Sequence, residues 1–268
     1  MDNNQTILTK IINRNNKNIS KKKTYLYCFC VIIFVFLFLL GVHQIFFAPI
    51  DTSHFFKKTG VMFDATYNSD ATRQANMKED SVRILVSIDD TSSLTQYKIG
   101  AYEMGLYDTP EKRYGYFNSI DTIKTEFPVN TILNDEISRE KESILDWAYG
   151  NHSNILLPKG KSKDGLNMIG FFGKNYFGVY YVNEKGECER FEVSRKYKSV
   201  SGEKGMEQYH VIISDCKTIQ QPDKWDELTI KQMSKEEFED TSTYFLLGAT
   251  MYTAAEVPTK INNTISEE

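Results

Sequence analysis

Two histidines, His152 and His210, are the side chains between residues 60 and 258 that best suit acid–base or metal chemistry, because imidazole gains and loses a proton near neutral pH. Neither belongs to an H-x-x-x-H or H-E-x-x-H pattern, so the sequence offers no zinc ligand set. A serine hydrolase would use one of them as its base, yet no G-x-S-x-G motif supplies the nucleophile. We therefore predict no metal site and no cofactor.

Two other stretches partly match sequence motifs that bind phosphate or hydrolyse phosphate esters. Gly160-Lys161-Ser162 ends like a phosphate-binding loop, but the glycine required five positions earlier is Ile155, and the backbone cradle cannot form without it. The run before Asp89-Asp90-Thr91 partly resembles the D-x-D-x-T loop of haloacid-dehalogenase-like phosphatases, but the nucleophilic aspartate would fall at Ser87. Both stretches are predicted to be turns.

Carboxylates such as Asp121, Glu126 and Asp146 are candidates for the paired arrangement of a glycosidase-like hydrolase, in which two carboxyl groups lie about 5 to 9 Å apart. An acidic domain offers such pairs by chance. A hydrolase that uses an Asp/Glu pair is therefore the alternative function, and no catalytic residue is predicted.

Cys188 and Cys216 are the two cysteines after residue 50, and each lies at the edge of a strand-like run. An oxidising compartment would join them if the strands brought them within reach. The bridge would then remove on the order of 3 kcal/mol of unfolded-state entropy. We predict one disulfide between them; the alternative is two separate buried thiols.

The densest aromatic stretch runs from Phe171 to Tyr181. Alternation along a strand at 176–182 buries both of its faces only if the sheet is covered on each side. We therefore predict that some of Tyr176, Tyr180 and Tyr181 are exposed and contact a protein partner, a role that suits the amphipathic tyrosine ring. Plain core packing is the alternative.

An 18-residue run without a charged residue extends from Tyr25 to Val42 and follows Lys21-Lys22-Lys23. Extended to Pro49, the run is long enough to cross a hydrocarbon core of about 30 Å. The excess of basic residues before it holds the N-terminus in the cytoplasm by the positive-inside rule. We predict a single-pass signal anchor at 21–48 in the cell inner membrane, with a periplasmic C-terminal domain; cleavage near Ala48 is the alternative.

The charge balance bears on the class of partner. The chain has 32 basic and 36 acidic residues, and residues 1–50 hold six and one of them, which leaves 26 and 35 after residue 50, a net charge of −9. Nucleic acid and anionic lipid are bound through clustered Lys and Arg. We therefore exclude a nucleic-acid partner and favour a protein partner, possibly a basic one.

Apolar and β-branched runs bounded by turn residues predict strands. Asn183-Glu184-Lys185-Gly186 separates two of them and predicts a hairpin turn. The predicted strands are Val82–Ile88, Tyr97–Leu106, Leu166–Phe172, Tyr176–Val182, Cys188–Val193 and Tyr209–Cys216.

Two segments have helical periodicity. The first lies between Asn134, which can cap it, and Gly150, which supplies a stop. The second begins with the capping-box pattern at Ser234 and continues to about Tyr252.

The predicted fold class is α+β: one N-terminal transmembrane helix, then an extracytoplasmic domain with a mainly antiparallel sheet and about two helices. The predicted organisation is a cytoplasmic tail at 1–20, the anchor at 21–48, a linker at 49–59, the α+β domain at 60–258 and a C-terminal tail at 259–268. These features predict a membrane-tethered protein-binding module without enzymatic activity, such as an envelope-complex subunit or a toxin-neutralising immunity-type protein.

Overall fold

A computed structural model describes most of the chain, which divides into two compact units, Met1–Ile50 and Asp51–Glu268. In the first unit, residues 29–38 are helical and their apolar side chains are exposed. The described residues are Tyr25, 29–38, 50–74, 77–78, 81–118, 122–150, 155–198 and 204–255.

The predicted membrane anchor is wrong. Among the residues just given, no helix is both long and apolar enough to cross a membrane. The structure therefore does not support the transmembrane helix of the predicted fold class. It does not support the inner-membrane location that was inferred from that helix either. The sequence argument rested on the uncharged run, its length to Pro49 and the basic residues before it, none of which establishes about 20 residues of continuous helix.

The second unit is built on one large sheet whose spatial strand order is β12-β6-β5-β4-β3-β2-β1-β11-β10-β9-β8-β7. Its twelve strands are β1 Val61–Ser69, β2 Val82–Ile88, β3 Ser93–Ile99, β4 Tyr102–Asp108, β5 Lys112–Asn118, β6 Thr122–Pro128, β7 Ile155–Lys161, β8 Asn167–Phe172, β9 Tyr176–Val182, β10 Cys188–Lys198, β11 Lys204–Asp215 and β12 Thr229–Ile230.

Two antiparallel meanders make up this sheet. The first meander is β1–β6 and the second is β7–β11. They join where β11 pairs with β1 over nine residues, from Val61 opposite Asp215 to Ser69 opposite Glu207. The short β12 adds to the first meander by pairing in parallel with β6.

Three helices accompany the sheet: α1 Asp70–Gln74, α2 Glu136–Tyr149 and α3 Lys235–Ala255. The two predicted helices are confirmed as α2 and α3, and their caps explain their starting points. The Asp135 carboxylate, rather than Asn134, accepts the backbone N–H of Ser138 at 2.9 Å. At α3, the Ser234 hydroxyl accepts the N–H of Glu237 at 3.1 Å.

Alternation along the strands separates a helix side of the sheet from a reverse side. The helix side holds the main core beneath α2 and α3. Phe238 of α3 packs so closely on β5 that a Cβ at Gly115 would lie 2.3 Å from its ring. The fully buried side chains of this core include Phe63, Ile84, Met104, Ile137, Ile144, Trp147, Phe171, Tyr180, Phe191, Tyr209 and Phe238.

The reverse side is covered over β3–β5 by the segment that follows β11. Trp225, in a 3₁₀ turn at Trp225–Glu227, packs edge-on against Tyr107, Tyr114 and Tyr116 at 5.3 to 6.0 Å between ring centroids. Lys124 places its ammonium 4.4 Å from the centre of the Trp225 ring. This segment buries one part of the reverse side and leaves the rest of it open.

Several elements differ from the sequence-based expectation. The single strand predicted at Tyr97–Leu106 is two strands, because Gly100 takes a positive φ of 58° and turns the chain. The residues predicted as a linker at 49–59 include Phe55 and Phe56, which are buried in the core. The sheet is also larger than predicted: the sequence analysis names six strands, whereas the described sheet contains twelve.

The predicted disulfide is wrong, because Cys188 and Cys216 are both free thiols. Cys188 lies opposite Val182 on the helix side, and its thiol donates to the Arg190 carbonyl at 3.1 Å. Cys216 packs against the Trp225 cluster on the reverse side. A bulge between Cys188 and Arg190 shifts the alternation, so the two thiols lie on opposite sides of the sheet.

The two thiols should differ in reactivity. Burial raises the pKa of Cys188 to about 12, whereas Cys216 is partly exposed. Because the thiolate is the reactive form, iodoacetamide should modify Cys216 in folded protein at least about tenfold faster than Cys188. Peptide mapping of unreduced protein measures both rates, and a linked Cys188–Cys216 peptide would contradict this assignment.

Candidate functional site

A buried cluster of ionisable side chains around Arg195 joins α2 to the second meander. The Arg195 guanidinium donates to the Glu140 carboxylate at 2.9 Å and to the Glu207 carboxylate at 2.6 Å. It also donates to the Ser143 hydroxyl at 3.0 Å and to the Tyr209 hydroxyl at 2.6 Å. The Tyr209 hydroxyl in turn donates to Glu140 at 3.1 Å.

Glu140 has the environment in this cluster that is least favourable for a charged carboxylate. Its side chain is almost fully buried, and within the described part of the chain its Oε2 atom has no hydrogen-bond partner. Burial raises the pKa of Glu140 to about 7, an effect that exceeds the opposing attraction of Arg195. Such a shift is typical of catalytic acids as well as of structural ion pairs.

The geometry favours a structural role for this cluster. Side-chain exposure is 3% for Glu140 and 12% for Glu207, so a substrate has no access to the two carboxylates. On the other flank of α2, Lys141 bonds to Asp108 of β4 at 2.9 Å and to Ser93 of β3 at 2.7 Å. Together these contacts fasten α2 to both meanders.

The accessible candidate is on the reverse side of the sheet, where β1, β11, β10, β9 and β8 are uncovered by α2, by α3 or by the Trp225 segment. We call this surface the open face. The short α1 reaches only one end of it, where Arg73 donates to Gln208 at 2.9 Å. The described residues of the open face are Asp64, Thr66, Asn68, Met168, Phe172, Phe177, Val179, Tyr181, Arg190, Glu192, Ser194, Gln208, His210 and Ile212.

Exposed apolar and aromatic residues lie across the open face. Ile212 is 51% exposed, Phe177 42% and Phe172 40%. Arg190 lies between Ile212 and Tyr181 in the register of the sheet. Its guanidinium carbon lies 4.2 Å from the centre of the Tyr181 ring, and it donates to the Asp164 carboxylate at 2.7 and 3.3 Å. The Arg190 side chain is therefore held in place before any partner binds.

Two carboxylates of the open face, Asp64 and Glu192, also have neighbours within the chain. Arg83, from β2, forms a two-point ion pair with Asp64. His210 places Nδ1 3.5 Å from a Glu192 oxygen, beside a shallow groove of about 260 Å³ that both residues line. The open face thus presents apolar and aromatic contacts beside two arginine–aspartate ion pairs, Arg190 with Asp164 and Arg83 with Asp64.

The three tyrosines predicted to bind a partner are divided between the two sides of the sheet. Tyr180 is fully buried on the helix side and donates to the Trp147 carbonyl at 2.5 Å. Tyr176 lies on the same side and packs against Trp147 and Phe171. Tyr181 is on the open face, where it contacts Arg190.

The remaining sequence candidates do not converge. His152 and Asp121 lie outside the described residues, and Glu126 is paired with Lys112. Asp89 closes a turn by accepting the backbone N–H groups of Thr91 and Ser92. Across the described ranges, no three His, Cys, Asp or Glu side chains are grouped to hold a metal ion.

Comparison with known proteins adds no assignment: no protein-family model matches the sequence, and no curated protein matches it either.

Sequence reasoning missed Arg190 and Ile212 as members of the open face. Alternation supplied a usable signal, since Ile212 is separated by one residue from His210 and Arg190 by one from Glu192. That signal could be used only once β10 and β11 were known to be neighbours with this register.

The Glu140 environment predicts how stability depends on pH. The folded-state pKa of Glu140, about 7, is raised above the ordinary value of 4.5. The stability that neutral Glu140 contributes is therefore complete below about pH 4.5 and is lost as the pH rises through 7. The free energy of unfolding should fall by up to about 3 kcal/mol between pH 5 and 8, relative to Glu140→Gln. Urea titrations at each pH measure both proteins, and parallel pH profiles would contradict the prediction.

Proposed function

We propose that this protein is a binding module without enzymatic turnover, and that it holds a protein partner on the open face. The observation that carries the proposal is the contrast between two parts of the reverse side of one sheet. Over β3–β5, aromatic side chains are covered by Trp225 and its neighbours. Over β8–β11, Phe172, Phe177 and Ile212 are left 40 to 51% exposed.

The composition of the open face supports a protein partner. Aromatic residues and arginine are enriched where proteins bind one another, and they account for much of the binding energy there. Arg190 is preorganised by Tyr181 and Asp164, which lowers the entropy lost when it contacts a partner. Exposed apolar residues surrounded by polar ones are a feature of interaction sites.

Electrostatics have a secondary part in this proposal. Asp64 and Arg190 of the open face are paired within the chain, so they add little attraction of their own. The net charge of −9 after residue 50 instead favours approach of a basic partner, and this long-range attraction raises the association rate.

The test is co-purification of the full chain from its native host, quantified by mass spectrometry. Ile212→Asp and Tyr181→Ala should each reduce recovery of the partner at least about tenfold, because they remove exposed contacts at the centre of the face. Neither change disturbs the helix-side core, so circular dichroism and the unfolding midpoint should stay close to those of the unsubstituted protein.

Ile132→Asp is the matched control, because it makes the same chemical change at a residue that is 73% exposed and outside the open face. This variant should retain the partner. The proposal is overturned if all three variants recover the same proteins in the same amounts. Substrate turnover that survives Ile212→Asp but is lost on removal of one carboxylate would instead support a hydrolase.

A further inference from the structure

The outward surface of α3 carries a row of exposed apolar side chains. Tyr244 is 74% exposed, Leu247 59% and Met251 73%. Their spacing of three and four residues places them on one side of the helix, as at the a and d positions of a coiled coil. We call these three residues the outer stripe.

The opposite surface of α3 is already occupied. Phe238, Ser242 and Ala249 are buried on the sheet, and Phe245 packs against Phe117 and Tyr102. A helix that is apolar on both sides usually has protein on both sides. The sheet satisfies one side of α3, and the outer stripe lies on the other.

Gly248 adds an independent observation beside the outer stripe. A Cβ at this position would meet nothing within 4 Å, so no packing within the described fold requires glycine there. Glycine inside a helix is destabilising by roughly 0.5 to 1 kcal/mol relative to alanine. A glycine next to exposed apolar residues permits close approach of a second backbone.

Charge identifies the kind of helix that fits. Asp240 lies four residues before Tyr244, in line with the outer stripe. Glu236 and Glu237 lie before Asp240, in the first turn of α3. No Lys or Arg occurs between Glu236 and Ala255. The surface is therefore apolar along its length and acidic at its N-terminal end.

A second copy of α3 does not complement this surface. In a parallel pair the acidic turns would face each other, and like charges at that distance are unfavourable. In an antiparallel pair each acidic turn would face the other helix's C-terminal half, which has no basic residue and carries the negative end of the helix dipole. Neither arrangement supplies a counter-charge.

We propose that the outer stripe of α3 is a docking site for an amphipathic α-helix of another protein, whose apolar side faces Tyr244, Leu247 and Met251. Basic residues at one end of that helix pair with Glu236, Glu237 and Asp240. This site is on the helix side of the sheet and the open face is on the reverse side, so the two surfaces can be occupied at the same time.

The probe is a synthetic helix of about 21 residues with leucine at a and d and lysine at e and g; its counterpart has glutamate in place of lysine. Fluorescence anisotropy measures the binding of each peptide to the full chain. The lysine peptide should bind at least tenfold more tightly than the glutamate peptide. Its affinity should fall as salt rises, because the acidic side chains are exposed.

Variants locate the binding. Leu247→Asp should weaken the lysine peptide at least tenfold, whereas Ile212→Asp, the same kind of change at a residue of similar exposure on the open face, should leave it unchanged. Gly248→Ala should weaken binding several-fold while the unfolding midpoint stays the same or rises. That combination separates loss of the surface from loss of the fold.

Three results would overturn the proposal: no binding of the lysine peptide, equal binding of the two peptides, or equal binding by the unsubstituted protein and Leu247→Asp. Sedimentation of the full chain provides a further check. A dimer that Leu247→Asp dissociates would make a second copy the occupant and would overturn the assignment to a different protein. Because Ile212→Asp is the control here and the test variant for the open face, the two proposals fail separately.

Discussion

Arg195 bonds at the same time to two residues of α2, Glu140 and Ser143, and to two residues of β11, Glu207 and Tyr209. A guanidinium that is largely removed from water needs most of its donors satisfied, and this geometry satisfies them only if helix and strands keep one relative position. Lys141, the residue after Glu140 in α2, makes the corresponding attachment to Asp108 of the first meander. The position of α2 across both meanders depends on these two cations.

This arrangement has a cost that falls on Glu140. Of the two carboxylates that share Arg195, Glu207 is the more exposed and Glu140 the more buried. Desolvation therefore acts mainly on Glu140, and its charged form is the less favourable one. Apolar packing of Trp147 and Tyr209, whose ring centroids lie 4.7 Å apart, surrounds the same cluster and contributes stability that does not depend on pH.

Local patterns were enough to predict some elements and not others. The bounds of β2 and β9 agree with the predicted strands to the residue, because β-branched or aromatic runs there end at clear turn residues. The strand β7 contains Pro158 and Gly160, which weaken any strand signal. The side on which Cys188 lies depends on a bulge in β10 that leaves no mark in the sequence. For the candidate site, one of the three predicted tyrosines, Tyr181, lies on the open face, but only its neighbours in the sheet reveal that it faces Arg190.

The pairing of β1 with β11 also has a consequence for the order in which the protein can assemble during synthesis. The paired residues of these strands are 138 to 154 positions apart in the sequence, so a large loop must close before they meet, and such long-range contacts form late. The first meander leaves the ribosome with one edge of β1 unpaired, and that edge stays open until β11 has emerged. An unpaired edge is a template for association with other chains. The interval between the synthesis of β1 and of β11 is therefore the period in which the nascent chain is most exposed to mispairing.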